Sequence, residues 1–490
     1  MPGGSAPPWQ AASVSAASAG ARRRAVGYVI VAASAGIAAG ATRTASRSVA
    51  VRFLAGPPHG IIGAASAAAH PVAGRTGAIL SPKCRFCAQD LRHVFVDLGM
   101  SPLCQTHIAP EQLNSMEPFY PLRVYVCGKC FLVQLEEFVA PADIFSADYA
   151  YFSSYSDSWV EHARRYTEAM RSRFGLGKGS LVTEIASNDG YLLQHFVAAG
   201  VPVLGVEPTE NTGKAAIAKG VRTINTFFGR ESAARIKQEF GPPDLLLGNN
   251  VLAHVPDIND FVAGMQLLLK PDGVITMEFP HLMQLMELNQ FDTIYHEHFS
   301  YLSFTTVVKI FAAHGLTMFD VEQIPTHGGS LRIYARQASD ASKPVGPRVK
   351  ELLATEAAKG YERLESYTKF EERVRKTKRA LLEFLVQAKQ AGKRIVGYGA
   401  PGKGNTLLNY CGIRTDFLDF TVDRNPYKQG KYTPGTHIPI LAPERLMEAR
   451  PDYVLILPWN LKDEITQSLA GIRAWGGKFV VPIPSVQVLD

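Results

Sequence analysis

The chain has 490 residues, which is enough for about three domains with sizeable cores. Its formal net charge is +7, but the first 80 residues hold seven arginines and no lysine or acidic residue, and the remainder balances 44 basic against 44 acidic residues. A neutral body argues against nucleic acid as a partner. Six cysteines are too few for a disulfide scaffold at this length, which favours a reducing, cytoplasmic location.

Residues 1–78 are rich in alanine, glycine, serine and arginine, and we expect a low-complexity, disordered extension there. An apolar run from Ala25 to Ala41 follows three arginines. A signal or transit peptide and a membrane anchor are the alternatives. Because alanine and glycine dilute the run and contribute little insertion free energy, we expect no membrane association.

Two cysteine pairs define the next segment, a predicted domain at residues 79–145. They are Cys84-x-x-Cys87 and Cys127-x-x-Cys130, with small or basic residues between the thiols. Four thiolates suit tetrahedral Zn²⁺, and this paired spacing is typical of a closed structural site. Two free or redox-active pairs are the alternative, which is weaker because no thioredoxin-like sequence flanks either pair.

Strands and helices alternate through the third segment, a predicted domain at residues 146–340. Its first strand and turn read LVTEIASNDGYLL, from Leu181 to Leu193. A buried strand, a tight turn and a helix N-terminus form the place where parallel α/β sheets bind nucleoside ligands. The next strand ends in Glu207, an acid placed where a ribose diol would be held. A closing hairpin predicts a doubly wound sheet with an antiparallel edge strand, the class I methyltransferase plan.

Residues 341–392 are charged and predict a helical linker, and residues 393–490 return to alternating strands and helices. This last segment predicts a second, smaller Rossmann-like domain. Its first turn contains Gly397-x-Gly399-x-x-Gly402, with Asp423 further along. Alone, that pattern indicates a dinucleotide site, so an NAD-dependent oxidoreductase stays open as an alternative.

Taken together, the two cysteine pairs and the segments EIASNDGYLL, GNNVLAHVPD, TIYHEHFSYLS and GYGAPGKGNTLLNYCGI resemble the sugar C-methyltransferases. These enzymes use S-adenosylmethionine to methylate C3 of a nucleotide-linked 4-keto-6-deoxysugar. The resemblance covers residues 80 to 490 in the same order and implies zinc-binding, class I methyltransferase and C-terminal Rossmann-like domains. It also implies a nucleotide-sugar substrate in the cleft among them, and we expect a monomer or weak homodimer. The extension before residue 80 departs from the family.

The resemblance places S-adenosylmethionine at the first strand turn and its neighbours. Carboxylates there suit a sulfonium and an amino-acid tail, and side chains at other strand ends reach the same edge of the sheet. The predicted cofactor-binding residues are Glu184, Asp189, Gly190, Glu207, Phe228, Asn249 and Asn250.

The reacting centre is predicted at Tyr295-His296-Glu297-His298. Methylating a carbon beside a ketone requires removal of an α proton and stabilisation of the enolate. Neutral imidazole accepts a proton at neutral pH. The resemblance implies that His298 is the base and that Tyr295 and Glu297 orient it or bind the sugar. A metal site in this loop is disfavoured because the H-E-x-x-H helix pattern is missing.

Substrate contacts are expected from both large domains. A lysine at the start of a helix would neutralise a diphosphate directly. The predicted substrate-binding residues are Tyr155, His254, Lys403 and Asn405. An O-methyltransferase with the same fold is the remaining alternative.

Overall fold

The structure is a computed structural model that describes residues 82–144 and 151–490. The predicted extension at residues 1–78, with its apolar run, lies outside the described residues. Within the described ranges, no helix combines the length and the apolar character needed to cross a membrane.

The secondary structure forms three sheets with helices packed on them. The strands, in chain order, are β1 His93–Ser101, β2 Tyr120–Val126, β3 Val133–Leu135, β4 Val182–Ile185, β5 Val203–Val206, β6 Thr223–Ile224, β7 Leu245–Asn249, β8 Val274–Pro280, β9 Ser300–Tyr301, β10 Leu316–Ile324, β11 Ser330–Gln337, β12 Ile395–Tyr398, β13 Thr421–Val422, β14 Ile440–Leu441, β15 Tyr453–Ile456, β16 Lys478–Val481 and β17 Gln487–Leu489. The helices are α1 Pro141–Ile144, α2 Asp157–Phe174, α3 Leu193–Ala198, α4 Glu210–Ala218, α5 Arg230–Phe240, α6 Ile258–Leu268, α7 Leu282–Glu287, α8 Phe304–Ala313, α9 Pro347–Ala358, α10 Leu364–Thr368, α11 Phe370–Gln390, α12 Gly402–Cys411, α13 Glu444–Ala449 and α14 Lys462–Ser468.

The first sheet has four strands in the order β1-β2-β3-β9, all antiparallel to their neighbours. Three of them belong to the cysteine-bearing segment, and the fourth, β9, comes from the predicted catalytic region. Val133 pairs with Tyr301 and Gln134 with Ser300. The small N-terminal sheet is therefore completed by residues that lie about 170 positions further along the chain.

The central sheet has seven strands in the order β10-β11-β8-β7-β4-β5-β6. All four residues of β4 are buried, as expected for a strand covered by helices on both faces. The predicted antiparallel edge strand was wrong in its position: the antiparallel strand is β11, which lies between β8 and the true edge strand β10. Strand β11 is the second strand of the hairpin, and because it has a neighbouring strand on each side, all eight of its residues are buried.

Helix α2 brings side chains from before the central sheet to its ligand-binding edge. The helix begins after Ser156, whose hydroxyl accepts a hydrogen bond from the Trp159 amide, and ends at Gly175 in the left-handed conformation. Its buried residues recur at helical spacing, from Trp159 to Met170. Burial of that face fixes the direction of α2 across the sheet.

The third sheet has the order β14-β13-β12-β15-β16-β17, and it is parallel except for β17. The expected helical linker is α9, α10 and α11, and it packs against the first sheet. The Phe370 ring stacks on Phe95 of β1 with centroids 4.6 Å apart. The linker is therefore part of the folded body and not a spacer.

Candidate active site

The four cysteines of the two C-x-x-C pairs converge on one point. Their sulfur atoms all lie within 4.8 Å of one another, and the Cys84–Cys130 and Cys87–Cys127 sulfur pairs are each 3.5 Å apart. Tetrahedral zinc with Zn–S bonds of about 2.3 Å requires sulfur separations of about 3.8 Å, so the donor set fits this ion. A hydrogen bond from Cys130 lowers the pKa of Cys127, while Cys127 raises the pKa of Cys84 to about 11. Ionising all four thiols therefore requires a compensating cation.

The cysteine cluster is tied directly to the predicted catalytic region. The Thr306 hydroxyl donates to the carbonyl of Cys130 at 3.3 Å, and the Gln134 amide donates to the sulfur of Cys84 at 3.2 Å. Gln134 is also the residue that faces Ser300 across the β3–β9 pair. The metal site and the segment after His298 are thus parts of one structural unit.

The turn after β4 is shaped for a ligand at the sheet edge. Three of its residues, Ala186, Asn188 and Gly190, have positive φ angles of 56°, 50° and 73°. Gly190 is required because an added Cβ would lie 3.0 Å from Val221 and 3.1 Å from Ala216. The turn consequently bends back tightly at the carboxyl end of β4.

Glu184 lies at the centre of this edge and is fully buried. Neither carboxylate oxygen forms a hydrogen bond of ordinary geometry within the described ranges, although Tyr191 is near enough to lower its pKa slightly. Burial, reinforced by Glu207 and Asp189, raises the pKa of Glu184 well above its usual value. A buried carboxylate that lacks full compensation fits a cationic ligand such as the amino group or sulfonium of S-adenosylmethionine.

Asp189 and Glu207 already make contacts within the protein. Asp189 forms an ion pair with Lys219 at 3.0 Å and accepts a hydrogen bond from Ser154. Glu207 accepts from the amide of Asn188 at 2.8 Å and from the amide of Thr209 at 2.9 Å. A carboxylate has about four acceptor positions, so Glu207 retains capacity for a ribose hydroxyl. Their predicted contacts with the cofactor stay predictions.

The other predicted cofactor residues lie at neighbouring strand ends. The buried Asn249 side chain interacts with the Tyr191 hydroxyl, and neither of its amide atoms has a partner of ordinary hydrogen-bond geometry in the described part of the chain. Asn250 has a positive φ of 55°, and its amide donates to the Glu278 carbonyl at 2.7 Å. The half-buried Phe228 ring packs edge-on against Phe261 at 5.3 Å. The Asn249 amide thus offers a donor and an acceptor to a ligand at this edge.

The predicted base, His298, is buried beside the end of β7. Its Nδ1 lies 2.8 Å from the Thr293 carbonyl, which can only accept, so Nδ1 carries the proton and Nε2 is left as an acceptor. The His254 ring meets it edge-on at 4.6 Å, and the Tyr295 ring lies over it at 4.0 Å. Burial lowers the pKa of His298 well below 6.5. The imidazole is therefore neutral at pH 7.

His254 places the predicted catalytic loop, residues 291–298, next to the carboxyl end of β7, at the edge of the sheet where S-adenosylmethionine is predicted to bind (the donor edge). It ends the 3-10 turn Leu252–His254, which directly follows β7, and burial lowers its pKa to about 4. The amide of Phe299 donates to the Ala253 carbonyl at 2.8 Å. The structure thus brings together the predicted residues His254, Tyr295 and His298 at the carboxyl end of the central sheet.

Glu297, a residue of the catalytic loop, contacts the first domain. Its Oε1 is 3.6 Å from the Cys104 sulfur, and both residues are buried. The thiol donates to the carboxylate, and burial raises the pKa of Cys104 well above its usual value. Only the fold brings it to a residue 193 positions away.

The predicted substrate residues are more scattered. Lys403 is half-buried, donates to the Asn460 side chain at 2.8 Å and lies 4.7 Å from the Trp459 ring. Tyr155 is 56% exposed and stacks on Tyr427 of the C-terminal domain at 6.4 Å. The Asn405 amide instead donates to the Cys104 carbonyl at 2.6 Å, so it joins α12 to the first domain. Substrate contact by these residues stays a prediction.

A buried charge network next to the site was missed by sequence reasoning. Glu278, at the end of β8, accepts from His162 at 2.8 Å and from Arg332 at 2.6 Å. These partners hold the pKa of the Glu278 carboxyl below its usual value despite its complete burial. A glutamate at the end of an otherwise apolar strand was the available signal. His162 on α2 and Arg332 on β11 are distant from Glu278 in the sequence, so no local pattern predicts these contacts.

The glycine-rich turn of the C-terminal domain is filled by the chain itself. An added Cβ at Gly402 would lie 2.8 Å from the Cys104 sulfur. Asp423, the acid that a dinucleotide would need for its ribose, accepts from the amide of Ala400 at 2.8 Å. The His107 ring lies 3.4 Å from the carbonyl of the same alanine. These contacts weigh against an NAD site in this turn.

Comparison with known proteins agrees with this organisation. Three family models match: "Putative zinc binding domain" at residues 84–145, "Methyltransferase domain" at residues 159–321 and "C-methyltransferase C-terminal domain" at residues 325–484. The C-methyltransferase NovU of Streptomyces niveus is 38% identical over 411 residues, covering 83% of this chain and 97% of NovU. The chain belongs to the C-methyltransferase family.

Solved methyltransferases resemble part of this C-methyltransferase. Magnesium protoporphyrin IX methyltransferase from Synechocystis PCC 6803, with bound SAH, is 17% identical with a TM-score of 0.31, covering 40% of this chain and 91% of that chain. An S-adenosylmethionine-dependent methyltransferase from Mesorhizobium loti is 14% identical with a TM-score of 0.30, covering 36% and 100%. The matching methyltransferase model and the cysteine cluster assign S-adenosylmethionine and zinc as cofactors of this C-methyltransferase.

Replacing Glu207 with alanine is expected to weaken binding of S-adenosylhomocysteine to this C-methyltransferase by at least about tenfold. Loss of a hydrogen bond to a charged group costs about 1.5 to 3 kcal/mol, and the loop that Glu207 supports through Asn188 would also loosen. Isothermal titration calorimetry measures the effect. Glu210→Ala is the matched control, because that exposed carboxylate pairs only locally with Lys214. Equal affinities for both variants would contradict a cofactor role for Glu207.

Proposed function

We propose that this C-methyltransferase methylates C3 of a nucleoside-diphosphate-linked 4-keto-6-deoxysugar, with His298 as the base. One observation carries the proposal: a buried, neutral imidazole has Nδ1–H tied to the Thr293 carbonyl and Nε2 free to accept, beside the donor edge of the sheet. Two points support a sugar nucleotide as the acceptor: the family resemblance, and the half-buried Lys403 of the C-terminal domain, which can bind a diphosphate.

The chain's own groups account for the proton-transfer step. The Nε2 atom of His298 takes the proton from C3, and the electrons of the C–H bond pass into the ketone as an enolate. S-adenosylmethionine, which the residues at the end of β4 would hold, would supply an electrophilic methyl group to the enolate carbon and leave as S-adenosylhomocysteine. The proton on His298 leaves to solvent before the next cycle. Atoms and charge balance without a covalent enzyme intermediate.

Burial of the base serves the same step. The low dielectric around His298 disfavours imidazolium, which keeps Nε2 available for a proton at neutral pH. Tyr295, which covers the ring, and Glu297, which follows in the same loop, are proposed to bind the sugar or orient the base.

The nucleotide end of the substrate is proposed to lie toward the C-terminal domain. Lys403 provides a cation for the diphosphate, and its ammonium group is positioned by Asn460 and the Trp459 ring. Tyr155 and Tyr427 form an exposed aromatic pair with one ring from each large domain. His254, which touches the base, is proposed to contact the sugar.

The domain boundaries, the cellular location and the oligomeric state of the chain are also proposed. The boundaries are residues 79–145 for the zinc domain, 146–340 for the methyltransferase domain, 341–392 for the linker and 393–490 for the C-terminal domain. A cytoplasmic, reducing location is supported by six free cysteines in the described ranges. A monomer or weak homodimer stays a prediction.

Product analysis tests the proposed reaction. The full chain is incubated with S-adenosylmethionine and a panel of nucleoside-diphosphate 4-keto-6-deoxysugars, and the product is examined by NMR. We expect a methyl group on C3 of the product. In D₂O, with S-adenosylhomocysteine in place of S-adenosylmethionine so that no methyl group is transferred, we expect the C3 proton of the substrate to exchange for deuterium. A methyl group on oxygen would favour an O-methyltransferase. Binding of NADH with no binding of S-adenosylhomocysteine would contradict the proposal.

A further inference from the structure

The C-terminal domain contacts the catalytic loop at two residues that flank Thr293. The indole nitrogen of Trp459 donates to Oδ2 of Asp292 at 2.6 Å. The Thr406 hydroxyl donates to the Ile294 carbonyl at 3.0 Å. All four residues are buried, with at most 7% of their surface exposed. The C-terminal domain therefore restrains the backbone on both sides of the residue whose carbonyl binds His298.

The Thr293 carbonyl decides which nitrogen of His298 carries the proton. The carbonyl accepts from Nδ1 at 2.8 Å, and this contact leaves Nε2 as the proton acceptor. Thr293 ends the short 3-10 turn Phe291–Thr293, which has a single turn of backbone to support it. A shift of this carbonyl would release the ring and allow the other tautomer. The position of the base therefore depends on what anchors the turn.

Asp292 anchors the turn through Trp459. Its carboxylate is completely buried. The backbone amides of Asp292 and Thr293 approach it, but Oδ1 has no partner of ordinary hydrogen-bond geometry in the described part of the chain. The indole N–H consequently provides the principal hydrogen bond of a group that is costly to bury. Lys403 lies over the same indole ring at 4.7 Å. One tryptophan thus joins the proposed diphosphate-binding lysine to the turn that orients the base.

We propose that Trp459 is a positioning residue for the reaction, fixing the Nδ1–H tautomer and the orientation of His298 through Asp292 and Thr293. This proposal rests on the proposed role of His298 as base. The C-terminal domain then contributes to proton abstraction without supplying the acceptor. Thr406 supports the same loop from its other side.

Trp459→Phe tests the proposal because it removes the N–H group and keeps an aromatic ring. We expect kcat and the C3 exchange rate in D₂O to fall together by about tenfold or more, with binding of S-adenosylhomocysteine within about twofold of the parent protein. In ¹⁵N-histidine-labelled protein, we expect the His298 signals, assigned by their loss in His298→Asn, to lose the pure Nδ1–H pattern. Trp475→Phe is the matched control, since its N–H donates at 3.0 Å to Pro451, outside the loop.

The outcomes separate this proposal from the proposed function. A folded Trp459→Phe protein with unchanged kcat and unchanged His298 signals would overturn the positioning role. Changed His298 signals in an enzyme whose parent shows no C3 exchange would leave the positioning role in place and contradict the proposed reaction. If Trp459→Phe does not fold, Thr406→Val removes the other contact, and the same measurements apply to it.

Discussion

Replacing His298 with asparagine is expected to abolish C3 proton exchange and to lower methyl transfer by about 10² to 10⁴-fold. Asparagine is close to histidine in size and can still donate to the Thr293 carbonyl, but its amide cannot take up a proton at neutral pH. Binding of S-adenosylhomocysteine is expected to stay unchanged because the loop keeps its position. Exchange is followed by NMR in D₂O, and methyl transfer is followed by product formation.

A matched substitution separates loss of the base from a general effect of losing an imidazole. His314 bonds Asn259 at 2.8 Å, outside the catalytic loop, so His314→Asn is expected to retain activity.

The pH profile gives a second check. Because burial lowers the pKa of His298, the base is neutral above that pKa, and kcat/KM falls only as the pH drops through it. The acidic limb is therefore expected below pH 6.5, and normal exchange in His298→Asn would remove this residue as the base.

Local patterns in the sequence were sufficient for the zinc cluster and the first strand turn. The spacing of Cys84 and Cys87, and of Cys127 and Cys130, reflects a knuckle that closes within four residues. The turn after β4 likewise contains Asn188 and Gly190, residue types that adopt positive φ angles readily and therefore mark a turn in the sequence. The sugar and the enolate step are not local properties, so they stay with the proposed function.

Contacts between distant segments were beyond the same reasoning. The Asn405 amide donates to a carbonyl 301 positions away, a contact that nothing near Asn405 in the sequence indicates. Trp459 and Asp292 are 167 positions apart. The antiparallel strand β11 was misplaced because a hairpin pattern shows that two strands pair but not which of them adds to the sheet. Tertiary packing decides each of these cases.

Removing one zinc ligand is expected to unfold more than the zinc domain. In Cys127→Ser we expect loss of about one zinc ion per chain, a lower unfolding temperature and loss of methyl transfer. Structural zinc in small domains contributes about 10 to 16 kcal/mol of binding free energy, which is folding free energy when the site does not exist in the unfolded chain. Metal analysis measures the zinc, and thermal unfolding followed by circular dichroism measures the stability.

The link between zinc and catalysis runs through β9. Strand β3 follows the second cysteine pair in the chain and pairs with β9, which begins two residues after His298. The Cys130 carbonyl also accepts a hydrogen bond from the Thr306 hydroxyl. Loss of the metal is therefore expected to increase amide hydrogen exchange at Phe299–Tyr301 as well as around the cysteines, and strong chelators are expected to do the same. Cys411→Ala, which removes a buried thiol outside the cluster, is expected to keep the zinc and the exchange protection. Zinc-free protein with unchanged protection at β9 would contradict the coupling of metal site and catalytic loop.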